Sequence, residues 1–195
     1  MIAIIIIGIV IYLLLLLEWI YRSGFIHAEY SRKIAHVLAC CIAAAASQIL
    51  SRDVFIYINI LFVVIFLYIR WKKILVSIEG VDRFTYGSVC LPLGFIVIGI
   101  FLYSRVYEML IGLAIVGIAD TCAGFVRYRF KLPKSSWIAF VIVWVCSFAT
   151  SRFIFGNIQS LLIASLVSMA EVLSGYGTDN LTIPLVYALL VYFFK

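Results

Sequence analysis

Apolar residues come in long runs along this chain, separated by short polar stretches. The runs cover residues 2–21, 34–50, 54–70, 88–103, 106–126, 137–154, 158–174 and 181–194. A helix that crosses the hydrocarbon core of a bilayer needs about 20 apolar residues. The pattern therefore predicts an all-α, polytopic membrane protein with about seven or eight transmembrane helices, forming one domain over residues 1–195. The last run is short, and tilt, local thinning or partial insertion would accommodate it. Tight turns are predicted around Ser51–Asp53, Ser104–Arg105 and Phe155–Asn157. The first run has no basic leader and no small-residue cleavage site, so it reads as a retained helix rather than a signal peptide.

Composition supports that picture. Of the 195 residues, 66% are hydrophobic and 12% charged, against about 45–50% and about 25% in soluble domains. A disordered chain, a disulfide scaffold and an ordinary soluble enzyme are all excluded. Cys40, Cys41, Cys90, Cys122 and Cys146 are odd in number and contain no CxxC pair, so they read as small hydrophobes.

The net charge of +6 reads as topology rather than as nucleic-acid binding. Lys and Arg accumulate on the cytoplasmic side of membrane helices. Arg22, Arg32, Lys33, Arg70, Lys72, Lys73, Arg83, Arg127, Arg129, Lys131 and Lys134 fall in the first, third and fifth loops. Only Arg52, Arg105, Arg152 and Lys195 fall on the other side. Both termini are thus expected outside, with loops one, three, five and seven in the cytoplasm.

Charge inside a membrane helix is costly and calls for a reason. Asp120 and Glu171 lie in apolar runs near their cytoplasmic ends. Gly117, Asp120, Ala123, Gly124 and Arg127 share one helical face, where small residues allow close approach. Glu18 sits beside Trp19 and Tyr21 and reads as interfacial. Arg32, Lys33 and His36 open the second helix within one turn of each other, a grouping of donors that suits a phosphate. Asp179 and Asn180 follow two glycines, where they also make a good helix cap. These residues, the Thr85-Tyr86-Gly87 turn and Lys134 all fall on the side that charge counting assigns to the cytoplasm. Mg²⁺ takes one or two carboxylates plus phosphate oxygens, and Lys or Arg neutralises the rest. The expectation is a magnesium–polyphosphate site, with a nucleotide arriving from the cytosol and a lipid from the bilayer.

Three stretches resemble the dolichol kinase and phytol kinase family, CTP-dependent kinases of polyprenols and isoprenoid alcohols that are related to phosphatidate cytidylyltransferases. Ser31-Arg32-Lys33-Ile34-Ala35-His36 is similar to the family's RK-x-x-H entry. Ala119-Asp120-Thr121-Cys122-Ala123 resembles its GD-T-x-A segment. Residues 171–184, Glu171 to Pro184, resemble its VEALSPxGxDNLTVPL ending and are the most specific of the three. Tyr86-Gly87 through Leu91-Pro92-Leu93-Gly94 is a weaker match. The order and spacing fit from about residue 29 onward, and residues 1–28 resemble the family least. The chain departs from the pattern at Ala119, where the family has Gly. Arg127-Tyr128-Arg129-Phe130-Lys131 stands in place of a glycine-rich basic loop, and Lys134-Ser135-Ser136-Trp137 lacks the Glu and Gly of a KSxEGS-like element.

The resemblance implies transfer of the γ-phosphoryl of a nucleoside triphosphate, CTP being expected, to the hydroxyl of a membrane isoprenoid alcohol. Asp120, Glu171 and His36 are the expected catalytic residues. Asp120, Asp179 and Glu171 would hold Mg²⁺. Arg32, Lys33, Arg129, Lys131, Lys134 and Asn180 would bind the nucleotide and its phosphates. The alternatives are a phosphatidate-type cytidylyltransferase and a non-catalytic lipid-binding relative. The partners are a lipid alcohol and a nucleotide, and the sequence leaves a homo-oligomer open.

Overall fold

The computed structural model describes residues 1–72, 74–79 and 85–194. Lys73, Asp82, Arg83, Lys195 and the Glu79 side chain, whose charges entered the reading above, lie outside the described residues. The described chain is helical, with no strand. In order, the helices are α1 (Ile2–Arg22), α2 (Ala28–Ile49), α3 (Arg52–Lys72), a single turn α4 (Val76–Glu79), α5 (Gly87–Leu102), α6 (Val106–Ala114), α7 (Asp120–Phe130), α8 (Trp137–Ser151), α9 (Asn157–Leu173) and α10 (Asp179–Phe193).

Three stretches are long and apolar enough to cross a membrane: Ile2–Arg22, Arg52–Lys72 and Val106–Phe130. Helices α5, α8, α9 and α10 are shorter and apolar. Each expected run corresponds to a helical stretch, with three shifts, the first being that α2 begins at Ala28, ahead of the run at 34–50. Helix α3 begins at Arg52, so the turn before it is confined to Leu50 and Ser51. The run at 106–126 extends to Phe130 and is interrupted by a π-helical turn over Ile115–Ala119 that joins α6 to α7. That wide turn inserts a residue ahead of Asp120, a distortion frequent at functional sites.

The interior is built from α5 through α10, with α2 against them. Ile98, Leu102, Leu113, Ile163, Ile183 and Tyr187 are fully buried there. Close approach depends on glycine at two crossings. A Cβ on Gly94 would lie 2.3 Å from the Asn180 carbonyl oxygen, and one on Gly112 would lie 2.6 Å from the Tyr187 ring. Helix α1 is different, because only 11% of its apolar window is buried in the fold. Its mostly uncovered apolar surface is what a lipid-facing helix presents.

The helices alternate in direction, so their ends gather at two poles. One pole collects the start of α2, the start of α5, the α7–α8 connection, the end of α9 and the start of α10. The other collects the α2–α3, α5–α6 and α8–α9 turns. Arg52, Arg105 and Arg152 sit at this second pole.

Candidate active site

Asp120, Glu171 and Asp179 converge at the first pole. Each offers a carboxylate oxygen within 4.8 Å of those of the other two, and all three residues are buried. They come from three elements. Asp120 opens α7 directly after the π turn. Glu171 lies in the last turn of α9. Asp179 opens α10, where the positive end of the helix dipole favours a carboxylate.

Three bases interleave with them. The Lys33 ammonium donates to Asp120 Oδ2 at 2.9 Å and to the Asp120 carbonyl at 3.2 Å. It reaches them across Gly124, where a Cβ would lie 2.2 Å from Lys33 Cε. Arg127 Nη1 donates to Glu171 Oε1, and Arg127 Nη2 lies 3.8 Å from Asp120 Oδ1. Lys134 bridges Glu171 Oε1 at 2.7 Å and Asp179 Oδ2 at 2.5 Å. Three acids and three bases leave the cluster formally neutral. A neutral, interlocked cluster can stay buried where isolated charges could not.

His36 is buried beside them. Its Nε2 makes a 2.9 Å hydrogen bond with the Val116 carbonyl oxygen and lies 3.8 Å from Asp120 Oδ2. A carbonyl can only accept, so Nε2 carries the proton. The π turn presents this carbonyl to α2, and Gly117 in the same turn leaves room for Cys40.

The loop before α10 closes the site against α5. Tyr176 and Gly177 both adopt left-handed backbone conformations, with φ of 52° and 80°. The Tyr176 carbonyl accepts from the Tyr86 N–H at 2.6 Å. A Cβ on Gly177 would lie 2.2 Å from Thr85 Oγ1. Asn180 Nδ2 donates to the Gly87 carbonyl at 2.9 Å. A strained turn held by contacts from a distant element is a common feature of functional sites.

A cavity of about 370 Å³ starts at this cluster. Arg32, Lys33, His36, Asp120, Arg127, Lys134, Asp179 and Asn180 line one part of it. Apolar side chains of α1, α2, α3 and α5 line the rest. The structure thus brings together Lys33, His36, Asp120, Lys134, Glu171, Asp179 and Asn180 from the expected set.

No protein-family model, curated protein or solved structure matches this chain.

Five expected residues are placed differently from the roles read in the sequence. Arg129 and Lys131 do not join the cluster: both are exposed, and Arg129 lies over the Phe130 ring. Helix phase explains this, because Arg127 stands two turns from Asp120 on the inner face and Arg129 points away. Arg32 lines the cavity but pairs with Glu29 at 3.0 Å rather than with the cluster. Glu171 is fully buried and does not line the cavity, lying behind Arg127 and Lys134. His36 is turned through Nε2 to a backbone carbonyl, so it orients the Asp120 turn and does not offer that nitrogen as a base. The residue the sequence undervalued is Arg127, although its place on the Asp120 face was visible in the spacing.

Whether the acids suit a metal depends on their unused valences. Glu171 Oε2 is buried without a hydrogen-bond partner, as is Asn180 Oδ1. Carboxylate oxygens gathered this closely are the donors that Mg²⁺ prefers. The set fits a hard divalent cation, with Asp120 and Asp179 as the carboxylates that reach the cavity.

Proposed function

We propose that this chain is an integral-membrane lipid kinase that transfers the γ-phosphoryl of a nucleoside triphosphate, CTP being the expected donor, to the hydroxyl of an isoprenoid alcohol. One observation carries the reading: a buried cluster of three carboxylates and three bases stands at the head of a cavity whose remaining lining is mostly apolar. A soluble metabolite would not need the apolar part, and a structural ion-pair network would not need the cavity.

Asp120 and Asp179 would hold Mg²⁺, which would supply positive charge against the phosphates. Lys33 and Lys134 are long and flexible, and they can turn from carboxylate to phosphate when the acids engage a cation. Arg127 stays anchored by Glu171 and keeps its fork aimed at the same space, as bidentate recognition of phosphate requires. The starts of α2, α5 and α10 converge there, and helix N-termini attract anions. Loose phosphoryl-transfer transition states need mainly positioning and charge neutralisation. His36 serves by fixing the π turn that carries Asp120.

The finer topology follows from the same reading. Seven or eight helical spans cross the bilayer, the shorter apolar helices among them, both termini lie outside, and the cluster faces the cytosol where the nucleotide is. The excess of basic residues at that pole supports this orientation.

The test uses purified protein with Mg²⁺ and geranylgeraniol or phytol. Label from γ-labelled CTP should enter the lipid, and label from α-labelled CTP should not. Entry of the α label would replace the kinase with a cytidylyltransferase. Asp120→Asn should lower turnover by about three orders of magnitude, the scale for loss of one preorganised charge, without loss of folded protein. Wild-type turnover by folded Asp120→Asn would overturn the assignment.

A further inference from the structure

We infer that the apolar part of the cavity is a channel for one linear aliphatic tail, and that its far end, at Ala46, Leu50 and Phe55, sets the longest tail accepted. This inference rests on the proposed lipid alcohol substrate and adds how the alcohol is selected.

The channel's direction is fixed by the helices. Helix α2 carries its stripe from Lys33 and His36 at the charged pole to Ala46 and Leu50 at the other. From His36 to Leu50 that stripe spans about 21 Å at about 1.5 Å per residue. The hydrocarbon core is about 30 Å thick. The channel therefore runs along the bilayer normal, with the head at the carboxylates and the tail end near the opposite face. A ligand lying parallel to the membrane would not fit this shape.

The channel's width is set by side-chain size. Ala39, Ala43 and Ala46 line it from α2, each one turn or nearly one turn after the last. Larger residues at these positions would close the space. Facing them, α3 presents Phe55, Ile58 and Phe62, and Asn59 between them turns its amide back to donate to the Phe55 carbonyl at 2.8 Å. At about 370 Å³ the whole cavity is at the small end of ligand pockets, about 300–1,000 Å³. That is room for one chain and a head group, and too little for a two-tailed phospholipid.

The far end is closed by contacts independent of any ligand. Phe55 is 1% exposed and packs against Gly99 of α5, where a Cβ would lie 3.1 Å from the Phe55 ring. The Tyr103 hydroxyl donates to the Leu50 carbonyl, tying the end of α2 to the end of α5. A tail longer than the channel would have to displace this floor or leave through the sparsely packed α1 wall.

The experiment uses the full chain in nanodiscs and two alcohols, octanol and hexadecanol, each with a diazirine at the tail end. Photolysis of the hexadecanol probe should label Leu50 and Phe55, and the octanol probe should label nearer to Ala39. Label from both probes on the same residues, or only on outward residues such as Ile5 and Tyr57, would overturn the channel. Ala46→Phe should reduce the preference for hexadecanol over octanol by at least about tenfold, the scale of a filled apolar subsite. An unchanged preference in folded Ala46→Phe would also overturn it. If Ala46→Phe does not fold, the wild-type labelling map decides. Equal protection by dioleoyl phosphatidylcholine would make the space a general lipid crevice, against the proposal. No nucleotide is required, so correct labelling without phosphoryl transfer would remove the kinase and leave the channel.

Discussion

The two poles of the bundle use the same residue types for different purposes. At the far pole, Arg52 donates to the Ile100 carbonyl at 3.0 Å, Arg105 to the Val191 carbonyl at 2.6 Å, and Arg152 to the Phe155 carbonyl at 2.6 Å. The first two of these carbonyls lie near helix C-termini, and the third lies in the turn before α9. Carbonyls at such ends have no partner within the helix, and basic side chains there complete the backbone and suit the dipole. At the near pole, Lys33, Arg127 and Lys134 donate chiefly to acids carried on other helices. Capping a carbonyl is a local need that any chain has. Burying three acids with three bases is costly to assemble and is not needed to end a helix. The difference separates structural cations from those available to a ligand, and it does so without reference to sequence motifs.

The largest expected effect sharpens that contrast. Arg127→Met should leave Glu171 buried with one base fewer, and breaking a buried pair costs about 3–5 kcal/mol. Arg105→Met removes bonds to the Val191 and Phe194 carbonyls and a partly exposed 3.6 Å pair with Glu108, but the Val191 carbonyl keeps the Phe194 N–H, a loss of about 1 kcal/mol. Thermal unfolding in one detergent should therefore show a much larger fall in midpoint for Arg127→Met. Equal falls would mean that the near pole is no more than a second capping arrangement.

Next in size is Gly177→Ala. Its φ of 80° is unfavourable for a residue with a Cβ, by about 1–2 kcal/mol. The added carbon would also lie 2.7 Å from the Gly87 nitrogen, which is backbone and cannot move aside cheaply. The 174–178 turn should then lose its hold on Tyr86, and hydrogen exchange at the Tyr86 N–H should rise. Protection equal to wild type would show that the turn tolerates a side chain, and that the near pole is less tightly determined than its contacts imply.

The long helices were legible in the sequence because lipid-length apolar runs bounded by charge have few other readings. Asp120 and Glu171 were legible because charge in such runs is costly, and Asp179 because it follows the two glycines in the stretch from Glu171 to Pro184. What was not legible depends on phase and depth. Spacing put Arg127 on the Asp120 face, but its burial against Glu171 and the exposure of Arg129 and Lys131 appear only once α9 packs there. The π turn leaves no compositional mark, yet it sets where the Val116 carbonyl meets His36. Glu171 and Asp179 appear equally suited to a ligand, but the packing of α9 puts Glu171 behind Arg127 and Lys134. The cavity could not be read at all, because alanines at 39, 43 and 46 look like ordinary helix formers until α3 stands opposite.

The smallest effect on stability should come from Gly124→Ala, and it is the most discriminating for the near pole. A Cβ there would lie 2.3 Å from Lys33 Nζ. The obstructing atoms are the far end of a flexible side chain, which can swing away, and alanine favours helix over glycine by about 1 kcal/mol. The two effects oppose, so the unfolding midpoint should move little. The 2.9 Å bond between Lys33 and Asp120 cannot survive that movement. If the near pole is organised for phosphate, nucleotide affinity should fall by about tenfold, the scale of one displaced charge contact, and Lys33→Ala should fall with it. If the cluster served only the fold, Gly124→Ala would behave as a neutral helix substitution in every assay. Stability and nucleotide binding are thus expected to separate at this one residue, as they should not at Arg105.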